Sequence, residues 1–184
     1  AFGVGDGTVR IADTISGEIQ QTLAVGALRV TAVAYSPDGT QIATAAGFPA
    51  SGALVWDAAT GEQAAVIAHP SLVTALAFAP DGSYLAAAGS NGTVTLRQDG
   101  TQIGVINVED WVTDIAFTPD GSALVAGNQN GILTFWNVAT PSSPTLAIAI
   151  VAGDSAINAL AINPDGTRIA TASDDGSVRL WQVQ

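Results

Sequence analysis

The chain has 184 residues, of which 48% are hydrophobic and 11% are charged, and its formal net charge is −11. A chain of this length can bury a substantial apolar core, and its excess of acidic residues argues against binding to free nucleic acid, because phosphate contacts need a basic surface. The absence of cysteine excludes disulfides and cysteine-ligated metal sites. No apolar run reaches the roughly 18 residues of a membrane-spanning helix, so no membrane insertion is expected.

A Pro-Asp-Gly turn recurs four times along the chain, with steps of 43, 39 and 45 residues between copies. A fixed period of about 40 to 45 residues is typical of repeat folds. Each turn follows a nearly continuous apolar run, which predicts a strand buried on both faces. These four first strands are predicted at residues 30–35, 73–78, 112–117 and 157–162.

Three further strands are predicted in each complete repeat and two in the last repeat, in an order that repeats along the chain. Second strands are predicted at 41–45, 84–88, 123–126 and 168–172, third strands at 53–56, 132–136 and 177–181, and fourth strands at 63–67, 102–108 and 145–151. Asn-Gly or Asp-Gly pairs between second and third strands indicate tight hairpins. Residues 1–5, 8–13 and 18–23 read as the second to fourth strands of an earlier, partial repeat. With a further third strand counted after the Asn91-Gly92 hairpin, the expected total is eighteen strands.

A tryptophan column runs in phase with these turns, at the end of the third strands. Trp56-Asp57 is complete, Trp136-Asn137 and Trp181-Gln182 keep the tryptophan, Ala12-Asp13 keeps the aspartate, and Arg97-Gln98 keeps neither. Over essentially the whole chain, the pattern resembles the WD-repeat β-propeller family. The resemblance implies an all-β fold, a β-propeller of four-stranded antiparallel blades, with about four and a half blades in this chain. The predicted division is a partial blade at 1–25, blades at 26–68, 69–108 and 109–152, and a partial blade at 153–184.

The predicted blade at each end of the chain is incomplete, and each repeat needs a neighbour to cover its apolar face. The sequence therefore allows more than one way of completing the ring. The chain is interpreted as a contiguous piece of a larger ring, as part of a ring completed by another chain or copy, or as a ring that closes on itself. In the last case residues 18–23 would pair beside residues 177–182 and displace the N-terminal hairpin.

The hydrogen-bonded set of His, Ser or Thr, Asp and Trp that the family often carries is eroded here. His69 stands at the expected histidine position, but its repeat has Arg97 in place of tryptophan. The last repeat keeps Trp181 but has Gly153 in place of histidine. We therefore expect the blades to depend more on apolar packing than on this polar network.

The sequence gives little support for an enzyme. With one histidine and no cysteine, it indicates no catalytic residue, no metal ligand set and no cofactor. The aspartates of the four Pro-Asp-Gly turns read as turn-forming residues. Asn91-Gly92-Thr93 matches the pattern of an N-glycosylation acceptor, but the favoured reading is an ordinary hairpin turn followed by a strand threonine.

One rim of the propeller holds the residues that we predict to bind a partner. The resemblance implies that the loops before first strands and the second-to-third-strand hairpins share this rim, and that partners commonly bind there. Trp111 belongs to no tryptophan column and is flanked by acidic residues, which suits a hot spot for a peptide or an arginine-bearing partner. An alternative role for it is to plug the channel or pack on the next blade. The candidate residues are Arg29, Leu72, Trp111, Asp114, Gln129 and Asp174.

The resemblance therefore implies a non-enzymatic scaffold for protein–protein interaction, or one subunit of a larger assembly, whose protein partners it does not name. Further blades from the same or another chain are among the expected partners. The alternative is a ligand-recognising propeller that binds a peptide, sugar or small cation at the channel mouth; a propeller enzyme is a third hypothesis. The chain has no lysine and no cysteine and is rich in small residues. This composition favours a secreted or surface bacterial protein, with a cytoplasmic scaffold as the second reading.

Overall fold

A computed structural model describes residues 1–26, 29–46 and 52–183. Within these ranges the chain forms five antiparallel sheets, each built from strands that follow one another in sequence. None of the described residues belongs to a helix that is long and apolar enough to cross a membrane. The predicted all-β organisation is therefore confirmed.

The strands are numbered in chain order. The first sheet has three strands and the second has four: β1 (Phe2–Gly3), β2 (Thr8–Ala12), β3 (Ile19–Ala24); β4 (Val30–Tyr35), β5 (Gln41–Ala46), β6 (Gly52–Asp57), β7 (Gln63–Ala68). The third and fourth sheets have four each: β8 (Val73–Phe78), β9 (Leu85–Gly89), β10 (Thr93–Gln98), β11 (Thr101–Asn107); β12 (Val112–Phe117), β13 (Ala123–Asn128), β14 (Ile132–Asn137), β15 (Thr145–Val151). The fifth sheet has three: β16 (Ile157–Ile162), β17 (Arg168–Ser173), β18 (Val178–Gln182).

The first strands of successive sheets lie side by side, with β4 against β8, β8 against β12 and β12 against β16. Threonine hydroxyls at the second position of three of these strands donate to the carbonyl that begins the next first strand. The bonds run from Thr31 to Val73 (2.7 Å), from Thr74 to Val112 (2.6 Å) and from Thr113 to Ile157. The sheets are thus joined at their inner edges by side-chain hydrogen bonds.

The core lies between the flat faces of neighbouring sheets. Alternation of side chains along a strand sends successive residues to opposite faces, so each of the three inner sheets packs on the sheet before it and on the sheet after it. Between the third and fourth sheets, for example, Ala86 and Leu96 pack with Ile115 and Leu124, and all four are buried. The chain is therefore held together by apolar contacts that repeat from one sheet to the next.

The Pro-Asp-Gly turns lie at the end of the molecule where the first strands finish. In the first of them the N–H of Thr40 donates to Oδ1 of Asp38 (3.0 Å), and Gly39 has a φ of 72°, a conformation that glycine adopts without steric cost. Hydrogen bonds from Ser36 and Thr40 hold the pKa of the Asp38 carboxyl below its ordinary value. Each of the other three turns carries an aspartate bonded in the same way to the residue two positions on.

The self-closing arrangement considered from the sequence does not occur in this structure. Strand β3 pairs with β2, β1 pairs with β2 as well, and β18 pairs with β17. The physical reason is the packing of the first sheet: Val9 and Leu23 are buried against Ile42 and Trp56 of the second sheet. Displacing the N-terminal hairpin would expose this cluster.

Candidate interaction rim

We call the end of the molecule where the first strands begin the first-strand rim. It carries the residue before each first strand and the hairpins that join second to third strands. A backbone hydrogen bond links these two loop types in three consecutive sheets. The bonds run from the N–H of Ser90 to the C=O of Leu72, from Gln129 to Trp111 and from Asp174 to Ala156, each at 3.0 Å. The loops of this rim are therefore anchored to the sheets beneath them.

Trp111 stands on this rim with 41% of its surface exposed. The backbone N–H of Trp111 donates to Oδ1 of Asp110 (2.7 Å), and Nε2 of Gln129 donates to the same oxygen (3.0 Å). The side-chain amide of Asn130 donates to the other oxygen of Asp110. Asp110 thus links the loop before β12 to the hairpin after β13, and the backbone that carries the indole is fixed before any partner arrives.

Asp114 points between two first strands. Its Oδ2 accepts the N–H of Leu160 on the next sheet (2.7 Å), and its Oδ1 accepts the N–H of Ile115 (2.9 Å). Burial raises the pKa of the Asp114 carboxyl above its ordinary value, while the two N–H donors act in the opposite direction. Asp114 therefore joins β12 to β16, and both of its oxygens already accept hydrogen bonds inside the protein.

The remaining candidate residues are spread around the rim. Arg29 and Asp174 are exposed and Leu72 is half-buried, each on a different sheet. Asp174 accepts a hydrogen bond from the side-chain amide of Asn158 through Oδ1. The structure thus brings Gln129 together with Trp111, while Arg29, Leu72 and Asp174 lie at the equivalent level of other sheets.

Carboxylates dominate the rim around Trp111. Glu109, Asp154 and Asp174 are exposed and Asp110 is half-buried, and all lie in the loops before first strands or in the hairpins. With a formal net charge of −11 for the whole chain, the surface around the indole suits a cationic group.

The sequence pointed to Trp111 but did not assign Asp110 its bridging role, because that role depends on residues 19 and 20 positions away.

The threonine bonds between first strands were also missed from the sequence. The signal that could have found them is a column of hydroxyl or amide side chains at the second position of each first strand. That column reads Thr31, Thr74, Thr113 and Asn158.

Each of the three tryptophans at the end of a third strand donates a hydrogen bond to a threonine. Nε1 of Trp56 donates to Thr44 (2.9 Å), and Trp136 and Trp181 donate to nearby threonines at 3.0 Å. In the third sheet Arg97 replaces the indole, and its Nη2 donates to the carbonyl of Ala68 (2.7 Å). A cavity of about 250 Å³ lies beside Arg97, between the second and third sheets.

Comparisons with known proteins match this architecture. The family model described as WD domain, G-beta repeat matches residues 17–52, 61–97, 100–137 and 147–182. Among solved structures, a chain of the crystal structure of the mitotic checkpoint complex superposes with a TM-score of 0.91 at 22% sequence identity. That match covers 99% of this chain and 60% of the solved chain, so the present chain spans about three fifths of the length of its structural neighbour. A search of the curated proteins gave no match.

Proposed function

Since the chain belongs to the WD-repeat family of β-propellers, we propose that it is a non-enzymatic scaffold for protein–protein interaction, or one subunit of a larger assembly, that binds a protein partner through the first-strand rim. The observation that carries this proposal is the exposed indole of Trp111 on a loop that is already fixed by hydrogen bonds. The solved neighbour, whose title names a complex, is in keeping with such a role.

Preorganisation makes Trp111 a suitable anchor. Tryptophan is among the residues that most often dominate binding energy at interfaces. A side chain on a flexible loop loses conformational freedom on binding, at a cost of about 0.5–1.5 kcal/mol per immobilised side chain. Asp110 and Gln129 already hold the backbone of Trp111, so ordering this loop on binding costs less, while the indole still loses its own rotamer freedom.

The charge around the indole sets the chemistry of the partner. A guanidinium stacked on an indole gains cation–π energy, and the two residues before Trp111 are acidic, Glu109 being exposed and Asp110 half-buried. We therefore propose a peptide or protein partner that inserts an arginine at Trp111. Arg29, Leu72, Gln129 and Asp174 would extend the contact around the same rim, while Asp114 would support the loop from below.

Peptides selected from a random display library against the folded chain provide the test, with dissociation constants measured by titration. Trp111→Ala is expected to weaken arginine-containing binders at least about 30-fold, the equivalent of roughly 2 kcal/mol for a hot-spot residue. Tyr35→Ala is the matched control, because Tyr35 is 42% exposed, like Trp111, but lies at the opposite end of its strand. Selected peptides that bind the Trp111→Ala variant as tightly as the original chain would show that the rim is not the interaction site.

A further inference from the structure

The cavity beside Arg97 has a volume of about 250 Å³ and lies near the Pro-Asp-Gly end of the molecule, since it reaches Gly82 of one of those turns. We call it the Arg97 cavity. Its apolar wall comes from both the second and the third sheet and consists of Val55, Ala65, Ile67, Phe78 and Leu85. The volume is just below the range of about 300–1,000 Å³ that is usual for ligand pockets, so the cavity suits a small molecule.

Arg97 stands where the other repeats place a tryptophan. It pairs with Leu85 across the third sheet, as Trp56 pairs with Ile42 across the second. Trp56 packs on the sheet before it, in a cluster with the buried Val9. The third sheet has no indole to pack on the second sheet in this way, and the Arg97 cavity lies at that position.

A buried hydroxyl also lacks the partner that an indole provides elsewhere. In the fourth sheet, Nε1 of Trp136 donates to the hydroxyl of Thr134, two positions before it (3.0 Å). The corresponding residue of the third sheet is Thr95, which is 1% exposed and whose hydroxyl has no hydrogen-bond partner among the described residues. Buried polar groups are normally paired, so the space between these two sheets keeps a polar group that the protein itself leaves unsatisfied.

The guanidinium of Arg97 donates to neutral acceptors only. Its Nη2 donates to the carbonyl of Ala68 (2.7 Å) and to Oε1 of Gln102 (3.2 Å), and its Nη1 donates to the carbonyl of Gly100 (3.3 Å). Its Nε is buried without a partner, and neither of the two ion pairs among the described residues includes Arg97. A charge withdrawn from water is costly unless it is paired, so both the charge and the Nε donor favour an anion in the cavity.

From these features we propose that the Arg97 cavity binds a small aromatic carboxylic acid. Its ring takes the place of the missing indole beside the apolar wall, and its carboxylate accepts a charge-assisted hydrogen bond from Nε of Arg97. A neutral aromatic molecule would leave the guanidinium unpaired, and an anion without an apolar body would leave the wall uncovered. The site is distinct from the first-strand rim and does not depend on the function proposed for that rim.

Asp99 contributes an unfavourable charge to the same cavity. It lines the cavity, its side chain is exposed, and it lies in the two-residue turn between β10 and β11 with a φ of 48°. Because its carboxylate repels an anionic ligand, Asp99→Asn is expected to tighten binding about threefold, as for an exposed charge. Asparagine tolerates a positive φ, so the turn should be kept.

Calorimetric titration with indole-3-acetate tests the proposal, and indole-3-acetamide is the neutral control of nearly the same shape. We expect one saturable site for the acid, with a Kd of about 1 mM or tighter. The amide should bind at least about tenfold more weakly, because the hydrogen bond to a charged acceptor is lost. In nitrogen-15 spectra, the side-chain Nε–H resonance of Arg97 should shift as the acid is added.

Variants at Arg97 separate its charge from the space beside it. Arg97→Trp restores the tryptophan column and fills the cavity, so it should abolish binding in a chain that still folds. Arg97→Gln removes the charge and should lower the affinity for the acid to that of the amide. Arg168→Gln is the matched control, because Arg168 is an exposed arginine at the start of a strand in the fifth sheet, and it should leave the Kd unchanged.

Three results would overturn the proposal: no saturable binding of the acid up to about 10 mM, equal affinities for the acid and the amide, or unchanged binding in Arg97→Trp. Heat of binding without any shift of the Arg97 Nε–H resonance would place the acid elsewhere and would contradict the proposal as well. The comparison of acid with amide uses the original chain, so the test stands even if a variant at Arg97 fails to fold.

Discussion

The imidazole of His69 is buried in the third repeat. Its Nδ1 lies 3.2 Å from the backbone nitrogen of Ser71, and its Nε2 has no hydrogen-bond partner among the described residues. Burial lowers the pKa of His69 below its ordinary value, and the charge of Arg97 acts in the same direction to a lesser extent. The neutral imidazole is thus the form that the fold accommodates.

This lowered pKa predicts a dependence of stability on pH. The unfolded chain binds a proton at His69 more readily than the folded chain, so the free energy of unfolding should fall as the pH drops below the unfolded pKa of about 6.5. His69→Gln should remove this fall. Because the chain has one histidine, the difference between the two urea-unfolding curves from pH 7 to pH 5 isolates its effect. The raised pKa of Asp114 has the opposite effect on the pH dependence of stability, but it is common to the original chain and to His69→Gln.

If the difference in stability between the original chain and His69→Gln did not change with pH, this would contradict the neutral, buried state of His69.

The loss of stability in His69→Gln at pH 7 tests the expectation that apolar packing outweighs the eroded polar network. An ordinary hydrogen bond contributes about 0.5–1.5 kcal/mol. A loss of several kcal/mol in His69→Gln at pH 7 would show that the network matters more than its missing members suggest.

At the scale of the elements, the threonine bonds join one sheet to the next. The hydroxyl of Thr74 donates to the carbonyl of Val112 on the following sheet (2.6 Å) and lies 3.2 Å from the carbonyl of Ala88 on its own sheet. Replacing the hydroxyl by a methyl group of similar size removes the donor and leaves the Val112 carbonyl without it. Thr74→Val is therefore expected to lower the free energy of unfolding by about 1 kcal/mol, measured by urea unfolding.

Thr22→Val is the control for this prediction, because Thr22 is an exposed threonine within strand β3. Valine suits a strand at least as well as threonine does, so this control should leave stability within about 0.5 kcal/mol of the original. If both substitutions had the same effect, the bond between sheets would contribute nothing to stability.

The strands themselves were largely predictable from the sequence, whereas the contacts between repeats were not. Residues 30–35, 73–78, 112–117, 145–151 and 157–162 were predicted with the bounds that the structure has. An apolar run ended by Pro-Asp-Gly is a local signal, and local signals fix strand positions. The second strand of the fourth sheet was predicted to end at 126 but continues to Asn128, because Val112 pairs with it across the sheet.

The links made by Asp110, Asp114 and Thr74 could not be read from local pattern for a different reason. Asp110 joins two loops of one sheet that are 19 and 20 positions apart in sequence, whereas Asp114 and Thr74 reach residues of the next sheet. Asp114, for example, accepts the amide of Leu160, 46 positions away. The sequence singled out Asp114 because other repeats have alanine there, but it could not show that the carboxylate is used inside the protein.

For the molecule as a whole, the repeat period predicted a repeat fold and the resemblance to the WD-repeat family implied an all-β propeller, which the structure and the family match confirm. Whether the ring closes depends on which sheet faces pack against each other, and the repeat period does not predict this. Pairing of residues 18–23 with residues 177–182 was one of three arrangements compatible with the sequence, and it is wrong for this structure because the first sheet packs on the second.

Net charge is a property of the whole molecule, and it leads to a last prediction. Sixteen acidic residues stand against five arginines, and the described residues contain two ion pairs, Arg10–Asp6 and Arg179–Asp175. Repulsion among the carboxylates should destabilise the compact state at low ionic strength. Raising NaCl from about 0.01 M to 0.15 M shortens the Debye length from about 30 Å to 8 Å, so we expect the Tm to rise.

Calorimetry at pH 7 measures this rise, and a second monovalent salt separates screening from specific ion binding, since screening depends on ionic strength alone. The two ion pairs would be weakened by salt, but partly exposed pairs contribute no more than about 1 kcal/mol each. A Tm that falls over the same range would show that local attraction outweighs the overall repulsion. In that case local attraction between charged groups, and not the net charge of the chain, would determine the electrostatics of the acidic first-strand rim.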